Sequence, residues 1–187
     1  AHLQRQAIAK GGFLDDATGD WLTLLAKSAY GVDRKLATFA TGKIRLTCSA
    51  SAGPYGITVG QIWAADVAGK RFNNTVAGNL ATSGTLDLDV IAEGTGTLYN
   101  VGLNTIVLLQ TSLPGVTVTN PAIGAIAGSW QNVLAIDDES DAALRARCRA
   151  RWVTLSLDGG SSGAYEFWAK AASVQVTRVK VRVHYPA

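Results

Sequence analysis

The residues best suited to chemistry form a glycine–serine loop near the end of the chain. Residues 159–163 (GGSSG) fit the G-x-S-x-G pattern, in which a sharp turn between a strand and a helix exposes a nucleophilic serine. Such a serine needs an acid and a histidine downstream, and after Ser161 the chain offers only Glu166 and His184. Glu166 lies one turn into the helix predicted next. A glycine-rich connector with a helix-capping serine is therefore favoured, and a serine hydrolase is the alternative.

Two further motifs carry phosphate-binding residue types. Residues 93–97 (EGTGT) follow a predicted strand, but they lack a third glycine, a lysine and a following helix, so we interpret them as a tight turn. The run from Arg145 to Arg151 could contact phosphates, but the acids just before it cancel its charge locally. A solvated helix, or a helix that pairs with a neighbouring subunit, explains this run better.

Composition excludes several classes of protein. The 187 residues are 48% hydrophobic and 17% charged with a net charge of +3, so the chain is neither disordered nor basic enough to indicate nucleic-acid binding. No apolar run is long enough to span a membrane, and no secretory segment opens the chain, so we expect a cytosolic protein. The two cysteines and two histidines give no disulfide framework and no metal spacing. We therefore expect no cofactor and no catalytic function.

Hydrophobic periodicity predicts helices at the start of the chain and strands in the middle. Residues 1–10 favour a short helix, and a second helix begins with Asp20 as its cap, buries a stripe that includes Trp21 and Leu24, and stops at Gly31. From residue 43 the period becomes two, which is typical of half-buried strands. The predicted strands are residues 43–49, a hairpin of 57–65 and 71–76 around the turn 67–70, and then 85–91, 105–109 and 116–119.

The last third returns to a helical pattern. Residues 137–152 predict a helix with acids in its first turn, arginines in its last, and a buried stripe of Leu144, Cys148 and Trp152. A second helix at 164–172 and a strand at 174–185 follow. The fold class is thus α+β: N-terminal helices, a β-rich middle domain, then two helices and a terminal strand. The predicted divisions are a helical segment 1–42, a β-rich domain 43–134 and a helical/strand segment 135–187.

The most informative feature is a stretch without charge. Residues 94–136 contain no Asp, Glu, Lys, Arg or His, where about ten charged residues are expected. A polar, β-rich surface is one explanation. The favoured one is a contact with another subunit, because charge is depleted where hydration is lost. This hypothesis selects a set of candidate interface residues in and just after the stretch: Thr117, Thr119, Asn120, Trp130, Asp137, Glu139, Asp141, Arg145 and Arg149.

A carbohydrate- or receptor-binding β module is a third alternative. Aromatic side chains on an exposed sheet could stack on sugar rings, and Trp63 and Trp130 are the candidates.

Short blocks of sequence, in a fixed order from about residue 11 to residue 183, carry a family resemblance. They are residues 17–22 (ATGDWL), 30–34 (YGVDR), 37–42 (ATFATG), 92–96 (AEGTG) with Asn100, 113–116 (LPGV) through 120–121 (NP), 137–141 (DDESD) with 144–147 (LRAR), and 164–169 (AYEFWA). Together these blocks resemble the baseplate J-like proteins of contractile-tailed phages and related injection machines.

The resemblance implies a structural role. Such proteins form the wedges of the baseplate, pair with copies of themselves and with other wedge and hub proteins, and help couple receptor contact to sheath contraction. The family brings no active site, cofactor, nucleic acid or membrane. It implies an obligate oligomer in the virion tail baseplate, assembled in the host cytoplasm, with the sheath as a further candidate partner. It also implies a further domain after the final strand.

Overall fold

The computed structural model describes residues 12–152, 162–172 and 178–182. Two compact units divide the chain, one made of residues 36–138 and the other of the residues up to 35 and from 139 onward. These bounds lie a few residues from the predicted ones, and the segments before and after the β-rich part belong to one unit. The described elements, in chain order, are α1 (Gly19–Tyr30), β1 (Phe39–Cys48), β2 (Tyr55–Ile57), β3 (Trp63–Asp66), β4 (Arg71–Asn74), β5 (Gly78–Leu80), β6 (Thr85–Thr95), a 3₁₀ turn (Thr97–Tyr99), β7 (Ile106–Leu109), β8 (Val116–Thr119), β9 (Gln131–Val133), α2 (Asp141–Trp152) and α3 (Ser162–Ala172).

The β unit is a nearly closed, barrel-like antiparallel sheet. Its strand order is β7-β3-β4-β6-β1-β8, with β9 also paired to β1, and β2 and β5 form a separate two-stranded sheet. The end strands β7 and β8 lie side by side without forming a ladder in the described residues. The fold class is therefore α+β with a β-rich middle, as the sequence predicts.

Strand β1 organises the barrel because its side chains alternate between the core and the surface. Ile44, Leu46 and Cys48 are buried, as their spacing predicts, and β1 pairs antiparallel with β6 along its length. The predicted hairpin around residues 67–70 is confirmed as β3 and β4, but its strands are shorter than the predicted 57–65 and 71–76, and Ile57 belongs to β2. The buried core also takes in Phe72, Trp130 and the inward residues of β6.

The helical unit has a smaller core of its own. Helix α1 ends as predicted at Gly31, which adopts the left-handed conformation with a φ of 63°. Leu22 and Ala26 of α1 pack with Leu144 and Cys148 of α2. Burial raises the pKa of the Cys148 thiol, so this cysteine is a packing residue.

Several predicted details of the helices are wrong. The residue before α1 is Thr18, so Asp20 lies in the first turn instead of capping it, and Trp21 and Leu24 are exposed. Helix α2 begins at Asp141 rather than at residue 137. The acids at 137–139 lie before the helix, where they accept backbone N–H groups of other segments. Trp152 is exposed rather than buried, although its ring lies 5.9 Å from that of Tyr30.

Other predictions fall wholly or partly outside the described residues. The helix at 1–10 lies outside them. Helix α3 begins at Ser162, two residues earlier than predicted. Of the predicted terminal strand 174–185, the structure describes only residues 178–182, and these are in no strand.

Candidate functional site

Asp137, one of the predicted interface acids, and its neighbour Asp138 stabilise the β unit from within. Asp137 accepts hydrogen bonds from the Thr97 hydroxyl at 2.6 Å and the Thr97 N–H at 2.7 Å, and these contacts hold the pKa of its carboxyl below the usual range. Asp138, its neighbour, accepts the N–H of Ala37 at 2.8 Å. Each carboxylate thus satisfies backbone donors that begin a turn or lie beside a strand end.

The next acids have the same role in the helical unit. Glu139 accepts the Lys35 N–H at 3.2 Å and pairs with Arg147 at 2.6 Å. Asp141 accepts the N–H of Gly19, the first residue of α1, at 2.9 Å and pairs with Arg34 at 2.6 Å. The Gly19 N–H and the Arg34 guanidinium together hold the pKa of Asp141 below its usual range.

The predicted interface arginines are likewise engaged inside the helical unit. Arg145 donates to the carbonyl oxygens of Leu14 at 3.0 Å and Ala17 at 2.6 Å. Arg149 forms an ion pair with Asp15. The acidic and basic members of the candidate set therefore hold their own chain together, which the sequence analysis did not anticipate.

Trp130 and Asn120 are core residues of the barrel. Trp130 is 1% exposed, packs edge-on against Phe72 with ring centroids 5.2 Å apart, and donates its indole N–H to the Val101 carbonyl at 2.8 Å. Neither side chain is free to contact another subunit or a sugar, so the expectation of surface contacts at these two positions is wrong. Trp63 is partly covered by Arg71, whose guanidinium lies 5.3 Å from its ring.

Asn120 closes the barrel where β7 and β8 meet. Its carboxamide oxygen accepts the Ile106 N–H at 2.9 Å, and its amide donates to the Gly102 carbonyl at 2.7 Å. Its backbone carbonyl accepts the Asn104 N–H at 3.1 Å. A buried side chain therefore replaces ladder hydrogen bonds at this seam.

Thr117 and Thr119 lie at the outer surface of β8. Thr117 is exposed, and Thr119 is half-buried with its hydroxyl 3.2 Å from the Asn104 side-chain oxygen. These two threonines are the members of the candidate set that remain at the surface, where Thr117 lies opposite Thr47 and Thr119 opposite Arg45 of β1.

The charges of the barrel lie together in space. Lys43 pairs with Asp89 at 3.9 Å and Arg45 with Asp87 at 2.7 Å across β1 and β6, and Arg71 of β4 pairs with Glu93 of β6. These ion pairs hold the pKa values of Asp87 and Glu93 below their usual ranges. We call this surface of β4, β6 and β1 the ion-pair wall.

The remaining chemical candidates give no site. The described residues hold no group of three or more potential metal ligands, and within them every helix is too short and too polar to span a bilayer. Ser161 and His184 lie outside the described residues, so the G-x-S-x-G hypothesis is not tested.

The sequence of the barrel was compared with models of known protein families. Residues 43–128 match the family described as the baseplate J-like protein barrel domain. Over these residues the chain is similar to that barrel domain. The match runs from the first paired charge of β1 past β8, and so covers most of the barrel sheet. The resemblance seen in the sequence is therefore confirmed. No curated protein matches the chain.

The family match bears on function. The matched family is one of structural phage baseplate proteins. Within residues 43–128 four basic and four acidic side chains cancel, so the domain carries no net charge: Lys43, Arg45, Lys70 and Arg71 against Asp66, Asp87, Asp89 and Glu93.

Two exposed apolar residues on β7 were not predicted from the sequence. Val107 and Leu108 of β7 are both close to half exposed, at 45% and 48%. Only the hydrophobicity of residues 105–109 could have drawn attention to them, and a strict alternation would have buried one of the pair.

Proposed function

We propose that this protein is a structural wedge component of a contractile-tail baseplate. It acts by assembling with copies of itself and with other wedge and hub proteins around the central hub, and it helps couple receptor contact to sheath contraction. The mechanism is bistable packing between subunits: a ring is held in one arrangement and is released to another when receptors engage. Assembly takes place in the host cytoplasm, and the role involves no catalytic step.

The observation that carries this proposal is the family match over the barrel. The arrangement of charge supports it independently. All charged side chains of the matched domain precede residue 94, and three basic–acidic pairs of the ion-pair wall neutralise one another. Outside the ion-pair wall the matched domain carries only two charged residues, Asp66 and Lys70, so most of its remaining surface can lose water on assembly without leaving an unpaired charge buried.

We propose β8 as one part of the subunit interface. Thr117 is exposed on an uncharged strand that ends the sheet path, and Thr119 lies two residues further on the same face. Substitution of Thr117 by Lys places a charge on this surface and leaves the half-buried Val116 and the buried Val118 unchanged.

The test compares Thr117→Lys with Thr85→Lys. Thr85 is also an exposed β-strand threonine, but it shares a face of β6 with Asp87 on the ion-pair wall. Both variants should stay soluble with unchanged circular dichroism, because neither alters the core. Electron microscopy should show few or no complete particles for Thr117→Lys and normal particles for Thr85→Lys. Normal particles from both variants would contradict the β8 interface, and normal particles from a gene deletion would contradict the proposed function.

A further inference from the structure

Strand β7, which belongs to the uncharged part of the barrel, is irregular. Strand β7 pairs with β3, but Ala65 lies opposite Leu108 while Asp66 lies opposite Ile106. One residue of β7, Val107, is therefore extra, which defines a β-bulge. Strands β7 and β8, with the chain between them, belong to the charge-free stretch, and we call their outer surface the neutral wall.

The bulge explains why two large apolar side chains lie next to each other on this wall. In a regular strand, neighbours point to opposite faces, so one of Val107 and Leu108 would enter the core. The extra residue breaks the alternation, and Ile106 alone of the three is buried. Adjacent apolar side chains close to half exposed are costly on a free surface, and bulges commonly re-aim side chains toward functional use.

Charge indicates which surface would cover them. A partner with charged residues at the contact would lose their hydration with no opposite charge to replace it, because β7 supplies none and Asp66, which lies opposite Ile106 on β3, is buried. A partner whose contact surface has no charge loses no charge hydration, and burial of its apolar groups lowers the free energy of the complex.

We propose that the barrel docks in the baseplate through the Val107–Leu108 bulge, against an uncharged, apolar surface of a neighbouring protein subunit, and leaves the ion-pair wall outside the contact. This inference rests on the proposed function and adds the orientation of the domain. The bulge residues form the anchor, and Thr117 lies toward the edge of the contact.

Cysteine labelling tests the orientation in intact particles. The natural cysteines, Cys48 and Cys148, are buried, so a single surface cysteine can be labelled selectively by a maleimide. The variants are Leu108→Cys on the bulge and Thr85→Cys on the ion-pair wall. In the isolated protein both should react readily, which also shows that both variants present the new thiol at the surface.

In purified particles the two positions should differ. Labelling of Leu108→Cys should slow by about tenfold or more, as expected for the water-excluded centre of a contact, and Thr85→Cys should react as in the isolated protein. Equal labelling rates at the two positions in particles, whether both fast or both slow, would overturn the inference and leave the proposed function standing. Absence of the wild-type chain from purified particles would overturn the proposed function, and the inference with it.

Discussion

At the scale of single residues, side-chain hydrogen bonds replace regular structure at the places where the chain turns. The Asn74 side chain accepts the Ile62 N–H at 2.7 Å and donates to the carbonyl oxygens of Thr58 and Val76. The Asn120 side chain likewise accepts one backbone N–H and donates to one backbone carbonyl where β7 and β8 meet. Both are buried and satisfied, which is the condition under which a buried carboxamide stabilises a fold.

The acidic run 137–141 shows where sequence reasoning fails at this scale. Acids before an apolar stripe are typical of a helix first turn, and they are equally typical of residues that cap donors elsewhere. The choice depends on partners such as Gly19, which lies 122 positions from Asp141 in the chain. Sequence spacing holds no information about such a contact, so the residue types were identified correctly and their roles were not.

The Asp141 carboxylate should make the helical unit sensitive to acid. Folding lowers its pKa, so its contribution to stability is present above the unfolded value of about 3.9 and is lost as the pH falls through the folded pKa. Asp141→Asn should therefore unfold more easily than the wild type at pH 7, and the gap should shrink below about pH 3. Thermal unfolding followed by circular dichroism at both pH values measures the gap.

The control for this prediction is Asp20→Asn on α1, the helix whose first N–H Asp141 accepts. Asp20 is exposed and has no hydrogen-bond partner among the described residues, so its substitution should produce a small gap at both pH values. An Asp141→Asn gap that does not change with pH would contradict the role given to this carboxylate.

At the scale of elements, the alternation of apolar and polar residues predicted the strand positions, but it did not predict how the strands pack and pair. The strands at 43–49, 85–91, 105–109 and 116–119 were each predicted near their observed positions, because one buried face imposes a period of two. The bulge at Val107 and the pairing of β9 with β1 depend on partner strands, so neither can be predicted from the residue pattern of one strand.

The contact between β1 and the segment before β9 depends on a glycine. A Cβ built on Gly42 would lie 2.4 Å from Trp130 Cε3 and 2.6 Å from the Trp130 carbonyl oxygen. We expect Gly42→Ala to lower the free energy of unfolding by about 3 kcal/mol, because the backbone carbonyl and the buried indole have no room to move. Urea unfolding followed by tryptophan fluorescence measures the loss.

Gly102→Ala is the matched control. Its Cβ would meet only the Thr105 methyl group, at 3.5 Å, which is an ordinary contact. This variant should change stability by about 0.5 kcal/mol or less. Equal stabilities for the two variants would show that Trp130 does not pack on β1 as described.

At the scale of the whole molecule, the chain holds two hydrophobic cores of unequal size. The switch from helical to strand period predicted the β-rich middle that the structure shows. It could not show that the segments before and after the barrel join in one unit, since that depends on contacts such as those of Leu22 with the α2 stripe.

The smaller core should be sensitive to the loss of one large side chain. Leu144 is fully buried in it, so Leu144→Ala should destabilise the helical unit by about 2–5 kcal/mol through lost burial and a residual cavity. Leu24→Ala, on the exposed side of α1, should cost less than about 1 kcal/mol. Hydrogen exchange of the α1 and α2 amides measures the difference, and similar protection in both variants would contradict this assignment of the core.

The cancelled charge of the barrel has a kinetic consequence. Oppositely charged proteins attract one another over about 8–10 Å in physiological salt, and this steering speeds their encounters. The matched part of the barrel, residues 43–128, has zero net charge and its ion pairs are already neutralised, so it provides little such long-range attraction. Its association is then governed by collision frequency and short-range fit, so the rate at which the barrel finds its place should depend weakly on ionic strength.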